Sequence, residues 1–294
     1  MANLKDIKRK IASVKNTQKT TRAMKLVSTA KLRRAELLAK KSKAFAETLN
    51  ETLSEISYTI QQYKIGGIEG RFFEEVEFPA VVDIIFVTSD KGLCGGFNHQ
   101  TIKTVKNLMD KYRSKKVKVR LKAIGKKGIE YFQFNKVDLE DKIVGLSSSP
   151  DYKKAADFIK KSVDDFLNGV TDKVILVHNG YKSMIAQEIK INNILPIDIN
   201  GLKIKETKSI LEMEPEDSEK VLDSLIQKYI EYNMYFSLID SLAAEHSARM
   251  QAMDSATNNA SEMVRKLTIS YNKARQESIT TELIEIISGM EAMK

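Results

Sequence analysis

The sequence predicts an α/β fold in which two long terminal helices form an antiparallel coiled coil and the segment between them folds into a domain with a largely parallel sheet. Neither proline nor glycine occurs between Met1 and Tyr63, or between Pro215 and Gly289. Both segments keep a seven-residue apolar spacing, and strand and helix patterns alternate between them. The predicted organisation is an N-terminal helix in residues 1–64, an α/β domain in 65–215 and a C-terminal helix in 216–294.

The N-terminal segment has the pattern of a coiled-coil helix. Apolar or small residues recur at alternating steps of three and four, which keeps one side of a helix turned toward a partner in a left-handed coil. At about 1.5 Å per residue, such a helix extends roughly 90 Å. The seam is small or polar from Gln18 to Ser28. Its two positions are Leu4, Ile11, Gln18, Lys25, Leu32, Ala39, Ala46, Leu53 and Ile60, and Ile7, Val14, Thr21, Ser28, Ala35, Ser42, Leu49 and Ile56.

The alternating α/β pattern lies in the central segment. Residues 80–88 form an apolar run typical of a buried strand, and two further strands are predicted at 117–124 and 174–178. Helical spacing is present in about 100–113 and in 152–167. Strands that alternate with helices favour a parallel sheet, to which residues 184–191 could add an edge strand.

The C-terminal segment has a matching seam and the opposite charge. Residues 216–294 contain eight Lys and Arg against thirteen Asp and Glu, whereas residues 1–64 contain fifteen against five. Opposite charges favour pairing of the two helices within the chain. Beyond Tyr271 the apolar stripe moves to another face, which indicates either a different neighbour or simple fraying. The shifted stripe consists of Ile279, Leu283, Ile286 and Ile287.

Composition excludes several classes of protein. Hydrophobic residues make up 42% of the 294 residues, which is enough for a packed core and argues against wholesale disorder. The single cysteine, Cys94, cannot form an internal disulfide and fits a reducing compartment. No apolar run approaches the roughly 20 residues that cross a bilayer. We therefore expect a soluble intracellular chain, without a secretory leader and without direct insertion into the bilayer.

Signals for catalysis are weak. The loop from Ser89 to Asn98 follows a predicted strand and precedes a helix, where phosphate loops occur, but it lacks the spacing of a dinucleotide or Walker loop. Cys94 has Lys91 nearby, yet His99 is the only local histidine, so a thiol nucleophile is disfavoured. The three histidines show no metal-ligand spacing. We expect no catalytic residue, no cofactor, no metal and no direct nucleotide binding.

Two features of the N-terminal helix each allow more than one interpretation. Met24 lies off the seam in a stretch that is apolar nearly all round, so it is either one more coiled-coil contact or part of a face enclosed by another protein. The basic residues could follow nucleic-acid phosphates, face acidic helices of a protein, or be solvated. Few aromatic side chains accompany them, which argues against nucleic acid. They are Lys8, Arg9, Lys10, Lys15, Lys19, Arg22, Lys31, Arg33 and Arg34.

Three stretches carry a resemblance to a known family. They are Ile11-Ala-Ser-Val-Lys-Asn-Thr-Gln-Lys-Thr-Thr-Arg-Ala-Met-Lys-Leu-Val continuing to Arg33, the loop from Ser89 to Asn98, and Tyr271-Asn-Lys-Ala-Arg-Gln-Glu-Ser-Ile-Thr-Thr-Glu-Leu-Ile-Glu-Ile-Ile-Ser-Gly289. In this order and spacing the chain resembles, from end to end, the gamma subunits of F-type ATP synthases. The resemblance implies a non-catalytic central-stalk rotor that couples proton flow through a membrane c-ring to ATP synthesis or hydrolysis.

The resemblance also implies partners and contact residues. The terminal helices would enter a ring of three alpha and three beta subunits, while the α/β domain would rest on the c-ring beside the epsilon subunit. The chain would be peripheral, at the cytoplasmic face of a bacterial inner membrane. The runner-up function is a coiled-coil architectural protein that binds nucleic acid through its basic helix. The implied contacts with the alpha/beta ring are Met24, Lys25, Lys91, Cys94, Arg249, Arg275, Gln276, Thr280 and Glu282.

Overall fold

The computed structural model describes residues 4–63, 71–73, 76–197 and 218–293. The predicted domain boundaries, at 64/65 and 215/216, lie outside these residues and stay a prediction. Among the described residues the helices are α1 (Leu4–Tyr63), α2 (Phe97–Ser114), α3 (Lys126–Phe134), α4 (Tyr152–Leu167) and α5 (Ser218–Glu291), with a short 3-10 helix at Arg71–Phe73. The strands are β1 (Val81–Val87), β2 (Lys118–Ile124), β3 (Asp141–Ile143), β4 (Lys173–Tyr181) and β5 (Gln187–Leu195).

The five strands form one sheet in the order β3-β2-β1-β4-β5. β1 pairs in parallel with both β2 and β4, and β2 pairs in parallel with β3. β5 is antiparallel to β4 and lies at the edge. The mixed α/β class, the mostly parallel sheet and the two long terminal helices are therefore confirmed. The predicted edge strand exists, but it is shifted toward the C-terminus.

Both faces of the sheet are covered, as a parallel sheet requires. Alternate residues of β1 point to opposite faces: Ile84 and Phe86 pack against α2 and α3, whereas Ile85 and Val87 pack against α4 and α5. The predicted start of α4 is also found, since the Asp151 carboxylate accepts the N–H of Lys154 as an N-cap. The sheet core therefore extends onto the C-terminal helix.

A buried ion network crosses the sheet. Asp83 of β1 is fully buried and accepts two hydrogen bonds from Arg120, at 2.6 and 2.8 Å. Lys122, also fully buried, lies 2.9 Å from the same carboxylate, and Arg120 reaches Asp165 at 2.7 Å. The hydrogen bonds that Arg120 donates to Asp83 raise the pKa of Arg120 despite its partial burial. Because every charge in this network is paired, its burial is tolerated.

The chain divides into two compact units. The terminal unit consists of the described residues within 1–28 and 249–294, and so contains parts of α1 and α5. The central unit consists of the described residues within 29–248, including the sheet.

Candidate functional site

In the terminal unit, α1 and α5 pair in opposite directions along the predicted seam. The hydroxyls of Thr21 and Thr257 are 2.7 Å apart, and Lys25 lies 2.6 Å from Asp254. The partner number falls as the α1 number rises, so the helices are antiparallel. Buried seam positions include Ile7, Thr21 and Ser28 on α1 and Met253 and Ala260 on α5.

The polar middle of the seam leaves a groove between the helices. The groove has a volume of about 620 Å³ and is lined mainly by polar and basic side chains. Lys25 is partly neutralised there by Asp254, and a pair this exposed contributes about 1 kcal/mol or less to stability. Met24 is half-buried, while Leu26 and Val27 beside it are 65% and 56% exposed. The stretch around Met24 therefore has an apolar surface that the described residues do not cover.

The last turns of α5 expose both polar and apolar side chains. Arg275, Gln276, Thr280 and Glu282 are all exposed. The hydroxyl of Thr280 donates to the carbonyl of Gln276 at 2.9 Å, and this bond orients the Thr280 hydroxyl along the helix axis. The shifted apolar stripe is exposed as well. Its exposed fractions are 45% at Ile279, 54% at Leu283 and 60% at both Ile286 and Ile287. A continuous exposed apolar stripe is typical of a surface that another protein covers.

In the central unit, the loop between β1 and α2 is held by its own side chains. The backbone N–H of Ser89 donates to the side chain of Asn98 at 2.9 Å, and the Asn98 amide donates back to the Ser89 hydroxyl at 2.8 Å. Cys94 is 2% exposed and packs with Phe97, Ala244 and Ala248, the last two on α5. The thiol therefore lies inside the central unit and not on its surface.

Two other residues of this loop do reach the surface. Lys91 is exposed, and Leu93 is 62% exposed in the left-handed region, with φ of 63°. A branched apolar side chain is uncommon in that conformation. The loop therefore holds Leu93 at the surface at a cost in backbone conformational free energy. Sequence reasoning did not single out Leu93. Its position in a glycine-containing loop, directly after Gly92, was the signal that the sequence offered.

Asp90 ties the loop to the neighbouring strand ends. Its carboxylate accepts the N–H groups of Lys126 and Gly145, at 3.0 and 3.1 Å, and the hydroxyl of Ser147 at 3.0 Å. Partial burial by itself would raise the pKa of Asp90, but these hydrogen bonds outweigh it and lower the pKa below the ordinary 3.8. Asp90 was also missed, because its partners are 36 and 55 residues away in sequence.

Tyr181, at the end of β4, joins the sheet to both long helices. Its hydroxyl donates to Glu36 of α1, and its backbone N–H donates to Asp240 of α5 at 2.9 Å. Burial, together with the bond to Glu36, raises the pKa of Tyr181 to about 12. The tyrosine thus stays protonated and keeps its hydroxyl proton for Glu36.

The predicted contact residues fall into separate places. Met24 and Lys25 lie at the polar part of the seam, and Arg275, Gln276, Thr280 and Glu282 lie on the exposed end of α5. Lys91 and Cys94 belong to the loop of the central unit. Arg249, in contrast, is only 8% exposed.

Neither a metal cluster nor a membrane span is evident in the described parts of the chain. No group of three or more His, Cys, Asp or Glu side chains there could hold a metal ion. Within the same residues, no helix is both long and apolar enough to cross a membrane.

Comparisons with known proteins cover the whole chain. The family model described as ATP synthase matches residues 3–293. The ATP synthase gamma chain of a Nitratiruptor species is 71% identical over 294 residues, covering 100% of both chains. A chain in a structure of the central stalk and c-ring of the Tetrahymena thermophila mitochondrial ATP synthase is 26% identical with a TM-score of 0.62, covering 81% of this chain and 99% of that one. A chain of the Euglena gracilis mitochondrial ATP synthase shares the fold, with a TM-score of 0.65 at 19% identity, covering 99% of this chain and 94% of that one.

Proposed function

Because the chain belongs to the family of ATP synthase gamma chains, it is a non-catalytic rotor subunit of the central stalk, and we propose how its surfaces perform that role. The terminal unit turns inside a ring of three alpha and three beta subunits. The loop between β1 and α2 meets the same ring from the central unit. Rotation thereby changes the nucleotide affinity of each catalytic site in turn.

The observation that carries this proposal is the change of face along α5. Its seam side chains are buried or half-buried as far as Ala274 and Ser278, yet the following apolar stripe is more than 40% exposed. An apolar stripe of this kind is stabilised by contact with another protein. A stripe on one side of a helix also lacks threefold symmetry, so it touches the three beta subunits differently.

Charge makes the same surface more asymmetric. Between residues 4 and 28, α1 contains eight Lys and Arg and one acidic residue. The α5 residues 249–291 contain five Lys and Arg and six acidic residues. A beta subunit that presents acidic side chains is attracted to the α1 side more than to the α5 side. Such a difference in contact free energy is what allows a rotor to shift a conformational equilibrium.

Polar residues at the end of α5 supply directional contacts. Arg275 can donate several hydrogen bonds from one planar group, and Gln276 can both donate and accept. We assign both to loops of the beta subunits, together with Thr280 and Glu282. Met24 and Lys25 are assigned to the ring at the polar groove, where Leu26 and Val27 extend the apolar surface.

The loop of the central unit forms a second contact surface with the ring. Lys91 and Leu93 present an exposed charge and an exposed apolar group two residues apart, which suits an acidic amphipathic helix. Cys94 is assigned a supporting role from inside the loop, since its thiol is buried. Arg249 is likewise buried in the isolated chain, so a direct contact with the ring would require local rearrangement.

The remaining partners follow from the same family. The chain is part of the membrane-associated F1 complex. We place the central unit on the membrane c-ring with the epsilon subunit alongside, at the cytoplasmic face of a bacterial membrane. The nucleic-acid alternative rests only on the basic α1 segment, and the comparisons give it no support.

Replacement of Arg275 and Gln276 tests the assigned ring contacts. The full chain is mixed with the alpha and beta subunits of the same organism, and both native mass and ATP turnover are measured. We expect one chain per six-subunit ring. Because these side chains are exposed, Arg275→Ala with Gln276→Ala leaves assembly intact while lowering turnover by about tenfold, the effect of losing roughly 1.4 kcal/mol of selective contact.

A matched control separates these contacts from general loss of charge. Lys266→Ala removes one positive charge from the same helix, where Lys266 is 74% exposed and pairs only with Glu262 one turn away among the ion pairs described. Its turnover should equal that of the wild type. Equal turnover in all three proteins would contradict the assignment of Arg275 and Gln276. Failure of the wild-type chain to form any complex would contradict the ring model itself.

A further inference from the structure

The β4–β5 hairpin is attached to α5 through one buried carboxylate. The Asp240 side chain is 8% exposed, and one of its oxygens lies 2.7 Å from Lys190 Nζ and 3.3 Å from His178 Nε2. The other oxygen accepts the backbone N–H of Tyr181 at 2.9 Å. All three donors belong to the hairpin, and they lie 50 to 62 residues before Asp240 in the sequence. Asp240 therefore joins the hairpin to α5.

The backbone of the hairpin is shaped for this close approach. A Cβ atom at Gly180 would stand 2.8 Å from the Asp240 oxygen and would also overlap the Lys190 side chain. Since the carboxylate is held by three donors, it cannot move aside without losing hydrogen bonds. Glycine at position 180 therefore allows Lys190 to close over the carboxylate.

A second polar contact lies two helical turns further along α5. The Ser247 hydroxyl donates to the carbonyl of Met184 at 3.0 Å and accepts the side-chain amide of Gln187 at 2.9 Å. Seven residues bring Ser247 back to nearly the same face of the helix as Asp240, about 10 Å along the axis. Two directional contacts at separate heights resist both rotation and sliding of the hairpin about the helix.

The apolar contacts of α5 do not have this property. Ile226, Ile230, Met234 and Leu238 pack into the sheet core, where attraction depends on buried area and not on direction. Hydrogen bonds to a charged carboxylate are shorter and roughly twice as strong as neutral ones. The polar contacts therefore define the rotational position of the sheet on α5, and the apolar contacts supply attraction.

We propose that Asp240 is a positioning residue for torque transfer between the sheet domain and α5. Load from the membrane ring enters through the sheet domain, and the Asp240 contact passes it to the helix that turns within the alpha/beta ring. Without this contact, the sheet domain shifts relative to α5 under load before the helix turns. This inference rests on the proposed rotor function and adds the residue through which the load passes.

The test compares rotation under load, in the complete synthase, with rotation without load, in the detached F1 complex. Asp240→Asn keeps the size of the side chain but removes its charge and places an amide donor toward Lys190 and His178. ATP hydrolysis is measured in the detached F1 complex, and both ATP hydrolysis and ATP-driven pumping of the coupling ion are measured in the same membrane vesicles. We expect hydrolysis by the detached complex to stay near the wild-type rate, while pumping per ATP hydrolysed falls about two- to tenfold.

The ratio of pumping to hydrolysis distinguishes positioning from folding. A variant that only misfolds or assembles poorly loses both activities together, which leaves the ratio unchanged. Lys190→Met keeps the aliphatic stem over Gly180 and removes one donor. The ratio of pumping to hydrolysis should therefore fall, but less than in Asp240→Asn. Asp223→Asn, an exposed carboxylate on the same helix, is the matched control and should leave the ratio at the wild-type value.

Each outcome decides the proposal. Wild-type ratios in both Asp240→Asn and Lys190→Met would overturn it, as would an equal fall in Asp223→Asn. If Asp240→Asn does not assemble, the ratio in Lys190→Met decides alone. If the wild-type synthase itself does not pump, the rotor function fails first, which distinguishes that failure from a failure of the Asp240 proposal.

Discussion

Single residues determine the shape of the loop between β1 and α2. Asp90, in this loop, forms side-chain hydrogen bonds that reach other parts of the sheet domain. Its carboxylate joins the loop to the start of α3 and to the segment after β3. Asp90→Ala removes the acceptor from two backbone N–H groups and one hydroxyl. We expect it to lower the free energy of unfolding by about 1–2 kcal/mol, toward the lower end for charged hydrogen bonds because the carboxylate is only half-buried.

The same substitution has a pH signature with a defined sign. Because the pKa of Asp90 is lower in the folded chain than the ordinary 3.8, the ionised carboxylate stabilises the fold above that value. The difference in stability between wild type and Asp90→Ala should therefore be full at neutral pH and shrink as the pH falls through the depressed pKa. Denaturant unfolding at a series of pH values measures it, with the exposed Asp110→Ala as control. A constant difference at every pH would contradict this role.

At the same scale, the predicted contact residues differ in what the sequence could reveal. Motif resemblance located Arg275, Gln276 and Thr280, and the structure leaves them exposed. The same resemblance included Cys94, whose thiol is covered by Ala244 and Ala248 of α5. That cover comes from residues far along the chain, which no local pattern can indicate. The role of each predicted contact stays a prediction.

Among the helices and strands, those with a clear pattern of apolar residues could be predicted from the sequence, and those without such a pattern could not. The buried runs that became β1, β2 and β4 were placed to within a few residues, as were α2 and α4. The three-residue strand β3 is too short for any apolar alternation. In α3, Gly128 interrupts the helical pattern, although the structure requires it because a Cβ there would stand 2.8 Å from the Thr88 hydroxyl.

The exposed stripe of α5 makes a prediction at the scale of an element. Leu283→Asp with Ile287→Asp places two charges on side chains that are 54% and 60% exposed. In the isolated chain the change in unfolding free energy should remain within about 0.5 kcal/mol for each site, since neither side chain is buried. Assembly with the alpha and beta subunits should weaken strongly, because the charges would enter an apolar contact.

Denaturant unfolding followed by circular dichroism measures the unfolding free energy, and native mass spectrometry measures complex formation. Ser288→Asp adds a charge at a neighbouring exposed position off the stripe and is the control. Undiminished assembly of the double variant would mean that the stripe is not covered by the ring. Equal weakening by Ser288→Asp would mean that charge anywhere on this segment interferes.

For the whole molecule, asymmetry is the property that matters most. A rotor must present different surfaces to chemically identical sites, and the basic α1 residues, the mixed α5 residues and the one-sided apolar stripe together provide this. The charge difference between the terminal segments was evident from composition alone. The contacts of Asp240 and Tyr181 were not, since they depend on how the hairpin meets α5.

Direct observation of rotation tests the central claim. Lys116 is exposed in the turn that follows α2. Cys94 is the only cysteine and is buried, so a Lys116→Cys chain with Cys94→Ser can carry a bead at one site. The chain is assembled with alpha and beta subunits fixed to a surface, and the bead is followed after ATP is added. We predict continuous rotation in one direction with pauses related by threefold symmetry. A complex that hydrolyses ATP while the bead stays fixed would contradict the account.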